Sequence, residues 1–414
     1  PETFIWRRLV NSSREPQEAI VTLLENGADV EELRPALEAT FYELSRRNRP
    51  VSPELLEALS ARGASGSLAQ AMVLTAAGVL PDASGGRIDL GAAQAQREEL
   101  FYRFLAHAML PAEERVSAEE LLLLARPDGR DDDRENRAAA VATQPPVTLV
   151  SGGAEVPRPR AAEPGVAEGE LPSPLTVESV RLLVEFGLTD ELYTVGLAYG
   201  EELPKELLDG AAERLHEAGM SYEALRVLHH AGYPEELGSR RRGELFYPSA
   251  FEELVLEAAR REELPEAYWY AIIREESFFS SSVASHVGAT GLSQLMPATA
   301  ADIADRMGLN QPDLADPATN LAIGSRYLRM LLDRFSHPVA ALAAYNAGQG
   351  RVRRWLAARP ESMLAFHQRI PFLETRNHVR KVLVSAVYYN YLYNDVPPEE
   401  TVRFFFPGLR DQTS

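Results

Sequence analysis

The sequence predicts an all-α protein made of more than one helical unit. Two observations carry this. Apolar residues recur at spacings of three and four through most of the chain, and the period-two alternation of half-buried strands is almost absent. A third bounds the size: 414 residues exceed one compact domain of ordinary dimensions, so two or three units are expected, and a hydrophobic content of 45% supports a sizeable core.

Residues 1 to about 126 read as short helices. The spacings Ala19-Ile20-Leu23-Leu24 and Leu33-Leu37-Phe41-Leu44 fit a period of 3.6, and Gly27, Pro35, Pro50, Pro53 and Gly63 lie near breaks or at first-turn positions. Arg97 to Leu110 predicts a further amphipathic helix, with Leu100, Phe101, Phe104, Leu105 and Ala108 on one side. Composition changes at 127. From there to 174 the chain carries Asp131-Asp132-Asp133, an alanine run, Pro145-Pro146 and Gly152-Gly153, and no aromatic residue. Such a segment buries too little apolar surface to offset its ordering entropy, so a disordered linker or insertion is expected. Residues 175–244 return to helical patterning in hairpin-sized units. Leu182-Leu183-Phe186, Leu192-Val195-Leu197-Tyr199, Leu207-Leu208-Ala211-Leu215 and Tyr222-Leu225-Leu228 are the apolar stripes, and Gly187, Gly200, Gly219 and Gly232 lie near their ends. Paired short helices of this kind predict an α-solenoid, without a strict repeat period.

Charge is uneven. The whole chain has a formal net charge of -19, but residues 245–414 hold 17 basic against 19 acidic side chains. So acidic a chain does not fit broad nucleic-acid binding by counterion release or adhesion to an anionic membrane surface. With no cysteine there are no disulfides or thiolate metal sites, and the eight histidines show no metal-ligand spacing, so no metal or cofactor is expected. No stretch approaches 18 uninterrupted apolar residues, so no transmembrane segment is expected.

The chemistry-bearing residues gather after 245. Glu276-Ser277 closes an apolar helix. Gly288-Ala289-Thr290-Gly291-Leu292-Ser293-Gln294-Leu295-Met296-Pro297 follows, then Ala344-Tyr345-Asn346-Ala347-Gly348, then Glu374-Thr375-Arg376. Gly288 and Gly291 permit backbone conformations or close approaches that a Cβ would block. Gln294 offers both donor and acceptor beside the polarizable Met296, which suits an oxygen- and amide-rich ligand such as a sugar. Glu276 follows Trp269, Ile272 and Ile273 at spacings of seven, four and three, beside an apolar stripe where partial desolvation would raise a carboxyl pKa toward the range of a general acid. Periodicity alone does not separate it from Glu275, which shares a face with Ala271 and Ile272.

These four motifs, in this order, resemble the catalytic domain of the soluble lytic transglycosylases. The resemblance covers residues 245–414 and implies a lysozyme-like α-helical domain behind an N-terminal helical superhelix. It implies that Glu276, directly before Ser277, is the catalytic acid and base, and that Ser285, Gln294, Met296, Tyr345, Asn346, Glu374 and His378 line the substrate groove. Three positions depart from the family pattern: His378 stands where a Tyr is usual, Ser293 where Met is frequent, and Ser280-Ser281 in place of Asn-Pro. An imidazole at 378 could keep a hydrogen bond or a stacking face. Local alternatives stay open for several residues: a turn role for Ser285, core filling for Met296, a buried tyrosine for Tyr345, and an ion pair of Glu374 with Arg376 or Arg380. Arg351, Arg353 and Arg354 read as a solvated helix face or as contacts to substrate carboxylates.

The implied reaction is cleavage of the β-1,4 bond between N-acetylmuramic acid and N-acetylglucosamine in peptidoglycan, forming a 1,6-anhydro product without consuming water. A lysozyme-like hydrolase or a non-catalytic wall-binding scaffold are the other readings. Implied partners are glycan strands and, through the helical region, other cell-wall enzymes; the implied location is the periplasm or cell envelope. The span 245–414 is expected to fold alone.

Overall fold

The computed structural model describes residues 16–82, 89–95, 100–123, 150–151, 154–155, 177–231, 237–285 and 287–409. Among these the protein is helical, apart from a two-residue antiparallel ladder pairing Val150 with Glu155 and Ser151 with Ala154. The all-α expectation is borne out. The rest of the expected linker at 127–174 lies outside the described residues.

Two compact units are interleaved along the chain. The first comprises Pro1–Ser117, Arg334–Val387 and Val396–Ser414; the second comprises Ala118–Asp333 and Tyr388–Asp395. The expected boundary at 245 therefore does not coincide with a boundary between units. The reason is visible inside the first unit, where early and late helices share one core.

That core draws Ile20, Leu24, Leu37, Phe41, Phe101 and Phe104 from the early helices and Val379, Val382, Phe405 and Phe406 from the late ones, all buried. Each such side chain contributes about 1.5–3 kcal/mol by leaving water. Through the same core runs a buried charge network. Both guanidinium nitrogens of Arg380 reach Glu38, at 2.8 and 3.2 Å, and Arg380 also donates to the Tyr102 hydroxyl at 2.7 Å. Burial alone would raise the Glu38 pKa, but Arg380, Arg376 and Gln70 outweigh it and hold the carboxyl below its usual value. Arg369 donates to Ser45, and Tyr102 to Gln368. Pro35 does not end a helix: it is the sixth residue of one continuous helix, Val30–Arg46. So near a helix start a proline forfeits at most one or two intrahelical bonds.

In the second unit the helices Val177–Phe186, Thr189–Tyr199, Lys205–Glu217 and Ser221–His230 pack successively, as the solenoid reading expects. The second and fourth approach closely: a Cβ on Gly196 would stand 2.6 Å from the Val227 side chain. The stripe expected on the first helix is only partly inward. Val180 and Leu183 join a cluster with Val195 and Leu207, whereas Leu182 is exposed and Phe186 is 70% exposed. This first helix has a packed neighbour on one side only among the described residues, so the rest of its apolar stripe stays outside. Further along, Glu266–Ser277 is buried from Ala267 to its last residue, which suits a helix apolar on nearly every side.

Candidate active site

In the second unit the buried helix ends abruptly. Phe278 and Phe279 both adopt left-handed backbone conformations, with φ of 48° and 64°. Such conformations cost a non-glycine residue about 1–2 kcal/mol each. Ser277 offsets part of that cost: its hydroxyl donates to Ile273 O at 3.2 Å and accepts from Phe279 N at 3.1 Å. The serine of the Glu-Ser pair is thus a helix terminator that fixes the turn carrying Glu276, which is 8% exposed.

The two adjacent glutamates differ in environment. Glu275 is bound by the buried Arg274 at 2.5 Å, and Arg274 also donates to Phe246 O at 2.8 Å and lies over the Tyr247 ring. Glu276 is the other buried carboxyl at this helix end.

The loop after the helix is stapled to itself. Ser285 N donates to Ala289 O at 2.8 Å, Gly288 N donates to Ser285 O at 2.9 Å, and the Ser285 hydroxyl accepts from Ala289 N at 2.9 Å, so Ser285 holds a turn. Thr290 pairs with both Ala284 and Leu295 as isolated bridges. Gly291 is required by conformation and by space: its φ is 76°, and a Cβ there would fall 2.2 Å from Asn320 Nδ2. Gln294, with φ 45°, donates its amide to Val283 O at 3.1 Å and Gly291 O at 2.9 Å. Its Oε1 is buried without a hydrogen-bond partner. The amide is thereby locked with one acceptor unsatisfied, the state expected of a group awaiting a ligand donor. Met296 is 43% exposed, so it does not fill the core.

Asn320 is the residue that sequence reasoning missed. Fully buried, it accepts from Ser293 N and Oγ at 2.9 and 2.7 Å and donates to Thr290 O and Leu314 O at 3.0 and 2.9 Å. It ties Thr290 and Ser293 of the loop to Leu314. Ser293 is small for a related reason: a Cβ on Gly324 would lie 2.3 Å from its hydroxyl, leaving no room there for a longer side chain. The only signal in the sequence is an asparagine in the first turn of the helix beginning at Pro317.

Tyr345, Asn346, Glu374 and His378 belong to the first unit. Thr375 donates to Asn346 Oδ1 at 2.6 Å, which leaves the Asn346 amide nitrogen as the donating end. Tyr345 is half-buried and Glu374 exposed. Glu374 takes no ion pair from Arg376 or Arg380, whose carboxylate partner is Glu38. His378 is 4% exposed, which is too little for a stacking face. Among the described residues no cluster of His, Asp and Glu could hold a metal ion.

Comparison with known proteins places this geometry. Residues 253–363 match the transglycosylase SLT domain family. In this segment the chain is similar to the soluble lytic transglycosylases. It is 40% identical over 158 residues to the soluble lytic murein transglycosylase of Escherichia coli K12, covering 36% of this chain and 24% of that protein. It is 34% identical over 159 residues to a putative soluble lytic murein transglycosylase of Haemophilus influenzae, covering 37% of this chain and 27% of that one. The matched region thus spans about a quarter of these relatives. In fold the chain resembles an inactive mutant of the lytic transglycosylase Slt from Pseudomonas aeruginosa, with a TM-score of 0.51 and 22% identity over 99% of this chain and 65% of that one. No helix among the described residues is long and apolar enough to cross a membrane.

Proposed function

We propose that the protein is a lytic transglycosylase cleaving the β-1,4 bond between N-acetylmuramic acid and N-acetylglucosamine, with Glu276 as the single acid and base. The observation that carries this is a buried carboxyl, Glu276, at the end of the buried helix directly before Ser277, at the position of the family's acid.

Glu276 gives its proton to the glycosidic oxygen, and the bond from that oxygen to C1 breaks. The neighbouring N-acetyl group supports the positive charge at C1, as in substrate-assisted glycosidases. The Glu276 carboxylate then takes the proton of the C6 hydroxyl as O6 bonds to C1. Glu276 ends protonated, and no water is consumed. An intramolecular nucleophile needs chiefly to be held in place, which suits a loop as constrained as 283–296. Ser285, Gln294 and Met296 are assigned to the groove on this side of the chemistry. The Gln294 Oε1 would accept from an amide or hydroxyl of the sugar. Tyr345, Asn346, Glu374 and His378 are assigned to substrate binding by the same resemblance, Asn346 through its amide nitrogen. The periplasm or cell envelope is the matching location, since the polymer resides there.

Digestion of purified peptidoglycan followed by mass spectrometry tests this reading. Muropeptides ending in 1,6-anhydro-N-acetylmuramic acid, lighter by one water than hydrolytic products, are expected. Predominantly reducing ends would make the enzyme a hydrolase.

A further inference from the structure

In the first unit every arginine from position 369 to 380 reaches back to one early helix, Val30–Arg46. Arg380 takes Glu38 through both terminal nitrogens, at 2.8 and 3.2 Å. The Arg376 guanidinium lies 5.3 Å from the Tyr42 ring centre and 3.9 Å from Glu38. Arg369 donates to the Ser45 hydroxyl at 3.1 Å. Glu38, Tyr42 and Ser45 follow one another at spacings of four and three, so they form a single face of that helix. Glu38 and Ser45 are buried on it.

The three arginines bracket the segment that carries Glu374, Thr375 and His378. Inside the bracket the chain is tied to itself. Arg376 donates to Ile370 O at 2.6 Å, and His367 Nε2 donates to Arg376 O at 3.1 Å. Burial holds the His367 imidazole well below its usual pKa, so it stays neutral. Thr375, next to Arg376, is 1% exposed and holds Asn346 Oδ1 at 2.6 Å. A displacement of Arg376 turns the adjacent Thr375 with it, and the Asn346 amide then loses the bond that fixes which of its ends is free to donate. Stability alone is a weak reason for such an arrangement. A buried ion pair often contributes no more than apolar side chains of the same volume, but it accepts only a narrow geometry.

We infer that the Glu38–Tyr42–Ser45 face positions part of the substrate groove: through Arg376 and Arg380 it sets the turn of Glu374 and Thr375, and through Thr375 the orientation of the Asn346 amide. The inference rests on the glycan reading of Asn346. None of the three face residues is assigned to substrate. Glu38 is a positioning residue, and the early helix is part of the working groove as well as of the core.

Steady-state cleavage of purified glycan strands by the full chain, read as kcat and KM per folded molecule, tests this in a double-mutant cycle. Glu38→Gln keeps the shape of the side chain and removes its charge. It should lower kcat about tenfold with KM changed by less than about twofold. Thr375→Val should do the same, and the double variant should be no slower than the slower single one, because both act through the same amide. Leu24→Ala, a core truncation on the separate helix Pro16–Glu25, should lower the melting temperature and leave kcat as in the wild type. Wild-type kcat in Glu38→Gln, or losses that multiply in the double variant, overturns the proposal while the glycan reading stands. So does a kcat loss in Leu24→Ala as large as that in Glu38→Gln, which would make the effect one of stability. If Thr375→Val and Asn346→Ala themselves cleave at the wild-type rate, the glycan reading of Asn346 fails and the inference with it. Should Glu38→Gln not fold, Ser45→Ala carries the same cycle: about threefold lower kcat is expected, absent in the Thr375→Val background, and an unchanged kcat overturns the proposal.

Discussion

The loop at 283–296 and the segment around helix Gln349–Leu356 handle polar side chains in opposite ways. In the loop, Ser285, Ser293, Asn320 and the amide nitrogen of Gln294 are spent on neighbouring backbone and on each other, and only Gln294 Oε1 is left over. Around the helix Arg351, Arg353 and Arg354 are exposed, and among the described residues no acid is paired with them. The first arrangement fixes geometry, as positioning a reacting bond requires; the second is a solvated helix face. Buried charges follow the first pattern. Glu38 and Glu275 are each closed off by arginine, and Glu276 is the carboxyl that the chemistry is assigned to.

The sharpest test of that contrast is Glu276→Gln, which keeps shape and removes the transferable proton. A loss of about 10² or more in cleavage rate is expected, with the melting temperature nearly unchanged. Activity above a tenth of wild type would remove Glu276 from the mechanism. Glu275→Gln should do the reverse. Stranding the buried Arg274 should destabilise the fold by about 3–5 kcal/mol, while the rate per folded molecule changes little. Thermal melts beside a cleavage assay read both.

A comparable loss is expected from truncation to 245–414. Without the early helices Arg380 and Arg376 lose Glu38, and Val379 and Phe405 lose their side of the core. The fragment should show no cooperative unfolding transition, and a well-folded active fragment would break the division into units. Asn320→Ala is next in size. Losing several buried hydrogen bonds should cost about 2–4 kcal/mol, and turnover should fall because Thr290 and Ser293, on either side of the Gly291 turn, are no longer held. Unchanged turnover would show that the loop needs no staple.

The smallest effect is that of pH on the first unit. Glu38 has a folded pKa below its ordinary value, so its contribution is complete above about 4.5 and is lost as pH falls through the lowered value. Burial also lowers His337 to about 4, so the folded state resists its protonation, and stability declines as pH drops from about 6.5 toward 4. Denaturant midpoints measured from pH 7 down to 3 should fall first through the His337 window and then through that of Glu38. In Glu38→Gln the lower limb should flatten.

Much of the site was legible early because its residues are contiguous. Glu276, Gly291 and Gln294 sit in one short stretch whose glycines and polar groups have local meanings, and the positive φ at Gly288 and Gly291 matches the reason glycine was expected there. Residues that act across the chain were not legible. Asn320 reaches back about thirty positions to the loop, and Thr375 reaches Asn346 at a similar separation. Their side chains carry no local pattern that marks a long-range partner.

By itself the sequence determined the helical class, since the 3.6-residue spacing of apolar side chains is a local property of each segment. It also determined the order of the motifs and the register of Glu276, through resemblance. Only the tertiary structure decided that Glu275 pairs with a buried cation, because that depends on Arg274 being buried against Phe246 and Tyr247. Only the tertiary structure decided where one unit ends and the next begins, because Glu38 and Arg380, 342 positions apart, must meet in one buried pair before either is compensated.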